Sequence, residues 1–168
     1  YLDQRVVNEI IKSHGQASIV LGNNVFAHID DMKTAFKNVF ELLDDSGIFI
    51  FEVAYFKYIL IDGLFDTIYH EHKVEWSESA LIRCVCRLGF THEATLRTPL
   101  HGGLLRVRFR RDPSATGISS QSLESEFGLD DIQRAYDHRA ETPAARRLER
   151  LLQEGRPIAA YGAAGRAN

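Results

Sequence analysis

The chain has 168 residues, 45% of them hydrophobic, enough for one well-packed domain and part of another. Its formal net charge of -3 supplies no general attraction to phosphate backbones or anionic lipid, so neither nucleic acid nor membrane is an expected partner. The longest apolar run, around Ile48 to Val53, falls far short of the roughly 20 residues a bilayer-spanning helix needs.

The start, Tyr1-Leu2-Asp3-Gln4-Arg5, is charged and leads into no apolar core, so no secretory leader is expected. Only two cysteines are present, Cys84 and Cys86, too few for a disulfide framework, and a reducing cytoplasm is the expected setting. The chain opens without Met, and its end, Ile158 to Asn168, reads as an apolar strand running into a glycine-bearing turn with no helix after it. Both ends read as cuts through a longer protein.

Val6, Val7, Ile10 and Ile11 recur at helical spacing and stop at His14-Gly15. Ala17 to Gly22 is a continuous apolar run, the pattern of a strand buried on both faces. Asp30-Asp31 predicts the cap of a second helix, with Met32, Ala35, Phe36, Val39, Phe40 and Leu43 as its apolar stripe. Ser46-Gly47 predicts a turn into Ile48–Val53, a second buried strand, and the strand–helix–strand spacing predicts parallel pairing. After a mixed stretch from Tyr55 to Trp76, Ser77 caps a third helix carrying Leu81, Ile82, Val85 and Leu88, stopped by Gly89. Phe90–Leu96 reads as a strand. Leu105, Val107 and Phe109 alternate with Arg106, Arg108 and Arg110, a strand with one wet face. With no helix between them, these last two strands are expected to pair antiparallel.

Asp112 to Ser122, rich in Ser, Gly, Thr and Pro, reads as a linker between residues 1–111 and 123–168. Beyond it, Leu129 to Ala140 predicts a helix, and Thr142-Pro143 the cap and first position of another that runs to Glu154 before Gly155.

The densest polar cluster is Tyr69-His70-Glu71-His72. A histidine beside a carboxylate is the usual equipment for general base catalysis near neutral pH, and a solvated loop is the plainer reading of the same residues. An extended segment would put Tyr69 and Glu71 on one side, His70 and His72 on the other. His70 and His72 could share a zinc with His28 or His101 as a third ligand, although the spacing is not that of a helical His-Glu-x-x-His site. Cys84 and Cys86, two apart on a helix, point away from each other and are not expected to be ligands. Asn23, Asn24 and His28 follow the first buried strand, where ligands of open α/β sheets bind, or else they turn the chain and cap a helix. The glycines of His101-Gly102-Gly103 serve a turn or let backbone approach a ligand. Arg106 and Arg108 could pair with a diphosphate or simply line a wet strand face. Tyr161-Gly162-Ala163-Ala164-Gly165-Arg166, at a strand end, could cradle phosphate.

Four blocks occur together and in order: Leu21 to Asp30, Phe65-Asp66-Thr67-Ile68-Tyr69-His70-Glu71-His72, His101-Gly102-Gly103 and Tyr161-Gly162-Ala163-Ala164. In these blocks the chain resembles the S-adenosylmethionine-dependent sugar-nucleotide C-methyltransferases over nearly its whole length. The resemblance implies an α/β fold: an incomplete class I methyltransferase (Rossmann-like) sheet with an antiparallel end strand, followed by helices leading into a second Rossmann-like domain. Residues 1–111 would be the second half of the methyltransferase domain and 123–168 the start of a C-terminal domain. A zinc-binding domain and the glycine-rich cofactor loop would precede them, so the piece by itself is expected neither to bind S-adenosylmethionine tightly nor to turn over.

The same resemblance implies methylation of the carbon beside the ketone of a 4-keto deoxysugar nucleotide. His72 would be the general base, with Tyr69, Glu71 and His28 around the sugar and Asn23 and Asn24 at the cofactor. His101, Gly102, Arg106, Tyr161 and Arg166 would lie on the substrate side. The chain departs from the family at Arg166, where a lysine is usual, and at Lys73-Val74-Glu75-Trp76, which replaces a more apolar, aromatic stretch. A non-catalytic binding module on the same fold and a metal-dependent hydrolase using His70 and His72 are the alternatives.

Overall fold

The computed structural model describes residues 2–115 and 125–159. The first helix, α1 (Gln4–His14), starts where the Asp3 carboxylate accepts a hydrogen bond from the Val6 N–H. It stops at Gly15, whose φ of +79° suits a residue without Cβ. Strand β1 (Ala17–Asn23) leads to α2 (Met32–Leu42), capped by Asp31 through the Thr34 N–H at 3.0 Å. β2 (Leu43–Ala54) follows directly. Leu43, expected in the helical stripe, is therefore the first residue of this strand.

The expected Ser46-Gly47 turn is instead an irregularity within β2. Ala17 pairs with Leu43 but Ile19 pairs with Ile48, so residues 44–47 loop out of register. The stretch read as mixed holds α3 (Phe56–Asp62) and a short 3₁₀ turn, Phe65–Thr67. Its two ends meet in a bridge between Tyr55 and Trp76. Ser77 caps α4 (Glu78–Cys86) as expected, its hydroxyl accepting from the Ala80 N–H. β3 (Phe90–Thr98) and β4 (Leu104–Arg111) complete the sheet. After the linker come α5 (Leu129–Asp137), shorter than expected because a 3₁₀ turn takes over at Arg139, and α6 (Pro143–Gln153) with Thr142 as its cap.

The strand order is β1-β2-β4-β3. β1 and β2 run parallel, and β4 lies between β2 and β3 antiparallel to both. The protein is thus α/β with a mixed sheet and a reversed strand near one end, as the strand patterns predicted.

One sheet face is dry. Phe49, Phe51, Val53, Leu105, Val107 and Phe109 are at most 1% exposed and pack with Phe36 and Val39 of α2 and Leu81 and Val85 of α4. Aromatic rings dominate this core: Phe26, Phe36, Phe51 and Trp76 form successive contacts with centroids 4.7 to 6.3 Å apart. Phe51 meets Phe26 and Trp76 edge to face, while Phe26 and Phe36 stack, so the pairs add directionality to the burial.

The opposite face is open. β1 is an edge strand rather than one buried on both faces: Ile19 and Leu21 are 56% and 63% exposed. Among the described residues its strand partner is β2 alone. Arg106, Arg108 and Arg110 share the open face with Glu52 and Glu93, which they pair with.

Residues after the linker pack on the sheet domain. Both carboxylate oxygens of Glu126 are engaged there, one by the Tyr55 hydroxyl and one by the Ser79 N–H. Phe127 meets Phe56, and Tyr136 meets Phe65, edge to face.

Candidate active site

Because β1 and β2 are parallel, Asn23 and Ala54 end at the same edge of the sheet. β4 starts at that edge, opposite Ala54, and the turn holding His101 joins it to β3. Three loops therefore gather there: 24–31, 55–76, and the 99–103 connection that holds the 100–102 turn. This is the edge where open α/β sheets hold ligands.

The first loop is shaped by a glycine. A Cβ on Gly22 would lie 2.2 Å from Cε2 of Phe26, so only glycine lets that ring fold back over its own strand. Phe26 then joins the core and carries the following turn with it, leaving His28 exposed at the surface. Asn24 sits in the left-handed region (φ 52°), and its N–H donates to the Glu52 carbonyl at 2.8 Å.

The second loop is not extended at its polar cluster. Tyr69 to His72 form a turn closed by the His72 N–H on the Tyr69 carbonyl, 2.9 Å. Tyr69 and His72, which an extended segment would separate, now face each other with ring centroids 4.6 Å apart. His70 points outward, 87% exposed, and Glu71 is 59% exposed with its carboxylate accepting from the Tyr69 hydroxyl at 3.3 Å.

Three contacts lock the two loops together. The Lys73 N–H donates to the Ala27 carbonyl at 2.7 Å, and the Lys73 ammonium stands 3.5 Å from Asp30. His28 Nδ1 lies 3.0 Å from the Glu71 carbonyl. A carbonyl can only accept, so Nδ1 carries the proton, and His28 Nε2 is left facing outward chemistry as an acceptor when the ring is neutral. The result brings the His28 and His72 rings to 4.9 Å.

His72 also has a partner that sequence reading passed over. Its Nδ1 is 3.2 Å from Oε1 of Glu75, and the two side chains are 16% and 13% exposed. Burial pushes the Glu75 carboxyl above its ordinary range, while the His72 ring pulls the other way. The available signal was a carboxylate three residues after a histidine, a spacing that a turn can close.

The other candidates lie on neighbouring elements. His101 occupies the left-handed region (φ 51°) beside Gly102 and Gly103, and Gly103 lies against the Tyr58 ring, where a Cβ would come within 2.2 Å of Cδ2. The Gly103 carbonyl accepts from the Tyr55 N–H. Gly102 is packed as tightly, since a Cβ there would come 2.7 Å from Cδ1 of Leu64. Arg106 is on the open sheet face, bound to Glu52 through Nε at 2.7 Å and its terminal nitrogen at 2.6 Å. Asn23 is exposed at the end of β1. Tyr161 and Arg166, like most of the linker, lie outside the described residues. Cys84 and Cys86 lie on α4, and burial raises both thiols. Among the described residues, no three His, Cys, Asp or Glu side chains gather as a metal would require, and His70 and His72 diverge. No described helix is long and apolar enough to cross a membrane.

A groove of about 720 Å³ opens beside His28, between the start of α1, β1 and α2. Val20, Phe26, Ile29 and Val39 form its apolar wall, and Asn24, Thr34 and Asp31 its polar rim.

No model of a protein family matches the chain. It is similar to C-methyltransferase NovU of Streptomyces niveus, with 35% identity over 102 residues, which make up 61% of this chain and 24% of that protein. The chain thus spans about a quarter of the curated relative it matches. Among solved structures it is similar to a Burkholderia thailandensis 1,6-didemethyltoxoflavin-N1-methyltransferase with bound 1,6-didemethyltoxoflavin and S-adenosylhomocysteine. The TM-score is 0.44 and the identity 19%, over 56% of this chain and 44% of that one. A structure concerned with the conversion of a disulfide bond into a thioacetal group during echinomycin biosynthesis gives the same TM-score of 0.44, at 14% identity over 73% and 55% of the two chains. At these values the α/β assignment stands on the strand order itself.

Proposed function

We propose that the chain carries the acceptor side of an S-adenosylmethionine-dependent C-methyltransferase of class I fold, acting on a 4-keto deoxysugar nucleotide. The observation that carries this reading is the convergence of Tyr69, His72 and His28 at the carboxyl edge of the sheet. The likeness to C-methyltransferase NovU supports the reaction type.

The carbon beside a ketone is acidic enough for a positioned imidazole to deprotonate. With Nδ1 of His72 directed at Glu75, its other nitrogen, Nε2, is the one left for the substrate. As the C–H bond breaks, the proton moves to Nε2 and the electron pair spreads onto the ketone oxygen. The Tyr69 hydroxyl, 3.3 Å from the exposed Glu71 carboxylate, can swing from it to that oxygen and donate to the developing enolate. His28 holds the turn through its Nδ1–H and sets its ring beside that of His72. Glu71 is free to accept from a sugar hydroxyl.

The chain's residues fit one wall of a cofactor site. Asn23 and Asn24 would hold the cofactor, next to an apolar groove with a polar rim. S-adenosylmethionine, when bound there, supplies an electrophilic methyl group for the carbanionic carbon. The His72 and Glu75 side chains, 16% and 13% exposed, keep the base partly shielded from water, which strengthens its charge interaction.

The test uses the full-length protein with a 4-keto deoxysugar nucleotide in deuterated water. Exchange of the α-proton reports base chemistry, and mass spectrometry reports methyl transfer. His72→Asn is expected to abolish both. Unchanged exchange and methylation in that variant, or a product methylated on oxygen, would overturn the reading.

A further inference from the structure

The His72–Glu75 contact goes beyond the cluster the sequence singled out. We propose that Glu75 is the positioning residue of the base: it fixes the proton of His72 on Nδ1 and stabilises the charge the ring acquires when Nε2 takes a proton. This inference rests on the reading of His72 as the base.

Three geometric facts carry it. The Glu75 carboxylate meets Nδ1 at 3.2 Å, within hydrogen-bond range, so the ring's other nitrogen is the one turned to the reacting side. Both side chains are largely buried, at 16% and 13% exposure, so the pair is not a screened surface contact. The backbone under each is fixed. His72 closes the Tyr69 turn, its neighbour Lys73 is bound to the Ala27 carbonyl, and Trp76, next to Glu75, is 5% exposed and packed on Phe36 and Phe51. Two rigid attachments, one on each side of a four-residue span, hold the pair in register.

An ion pair at that spacing could merely brace a turn. The surroundings argue for more. The groups facing His72 are Tyr69 and His28, two rings that carry no negative charge at neutral pH. Glu71 directs its carboxylate at the Tyr69 hydroxyl and lies near His70. Lys73 and Asp30 neutralise each other. Among the described residues Glu75 is therefore the carboxylate in contact with the imidazole. A neutral imidazole has two tautomers, and only one offers Nε2 as a base. A carboxylate at Nδ1 selects that tautomer.

Glu75→Gln keeps the shape and an acceptor oxygen but removes the charge. In the full-length protein it is expected to lower kcat roughly tenfold to hundredfold, within the 10²–10⁴ that a general base supplies, with KM little changed. The acid limb of the kcat profile should move to lower pH, since the protonated ring loses its anionic partner. Nitrogen NMR shifts of the His72 ring give a second reading: Nδ1–H in the parent protein and a mixture in the variant. If Glu75→Gln lowers kcat with the limb unmoved, or if the parent ring is protonated at Nε2, the positioning role is overturned. His72→Asn run alongside separates the two failures. Activity surviving that change sinks the base assignment itself, whereas loss in His72→Asn with an unaffected Glu75→Gln sinks only the role of Glu75.

Discussion

The rings of His28 and His72, from two different loops, stand 4.9 Å apart because backbone bonds on both sides of the turn bring them there. The His28 Nδ1–H to the Glu71 carbonyl adds a side-chain bond to that zipper, beside the Lys73–Asp30 ion pair. His28→Phe keeps a ring of similar breadth and removes the donor. The 69–72 turn should then loosen, seen as faster hydrogen exchange at the His72 and Lys73 amides. A displacement of about 1 Å can lower a rate on the order of 100-fold, so methyl transfer by the full-length protein should fall by up to that factor. Unchanged exchange at those two amides would show that the backbone bonds and the Lys73–Asp30 pair hold the site without His28.

Gly22 and Phe26 form a second such pair, one position away from the site's first asparagine. A Cβ at residue 22 would come within 2.2 Å of the ring's Cε2 and 2.8 Å of its Cδ2. Phe26 is 5% exposed and in contact with Phe36, Phe49 and Phe51, so it has no room to retreat. Gly22→Ala should therefore lower stability by about 1–3 kcal/mol, the usual range for overpacking, in chemical denaturation. It should also reduce methyl transfer, because the turn to His28 follows Phe26. A variant as stable as the parent would mean that the strand itself gives way.

The elements with a clean period were readable. The α2 stripe of Ala35, Phe36 and Val39 and the β4 alternation of Leu105, Val107 and Phe109 each repeat what one buried face requires, and the cap residues Asp31, Ser77 and Thr142 mark their helices by a local hydrogen bond. The burial of β1 was not readable, since an apolar run such as Ala17–Gly22 looks the same on a covered strand and on an edge strand with one face open. Leu43 fits the helical stripe and also the first inward position of β2, and pairing with Ala17 decides for the strand. The site divides in the same way. The polar density of Tyr69 to His72 was visible, but the turn that faces Tyr69 to His72 depends on the Ala27–Lys73 bond, a contact between distant positions. Glu75 was passed over for the same reason: its spacing from His72 acquires meaning only once the chain turns.

On the open sheet face, Glu52 is 8% exposed and bound by Arg106 through two nitrogens. Arg106→Ala should leave a nearly buried carboxylate without that partner and lower stability by about 1–3 kcal/mol. The loss is moderated because Arg106 itself is 46% exposed and water can reach the gap. Replacing both together, Glu52→Leu with Arg106→Met, should recover most of it, since an apolar pair has no charge to desolvate. Denaturation of the two single variants and the double variant forms the cycle. A strict sum of the single effects in the double variant would contradict the coupling.

Tyr55, 2% exposed, joins the sheet edge to the segment beyond the linker by donating to Glu126, whose other oxygen accepts from the Ser79 N–H. Burial, and after it the Glu126 carboxylate, push the Tyr55 hydroxyl far above its ordinary range, while Arg97, 5.9 Å over the ring, pulls weakly the other way. The folded state thus holds this proton more tightly than the unfolded chain does. Its contribution is fully present below the unfolded value of about 10 and is lost as pH rises above it. Stability should fall above about pH 10, where the unfolded chain releases the proton and the folded one retains it. Tyr55→Phe should flatten that alkaline limb. At neutral pH it should lower stability by about 1–2 kcal/mol, because Glu126 loses the bond from the Tyr55 hydroxyl. Denaturation of both proteins between neutral and alkaline pH measures the two effects together, and parallel limbs would show that another group governs the alkaline loss.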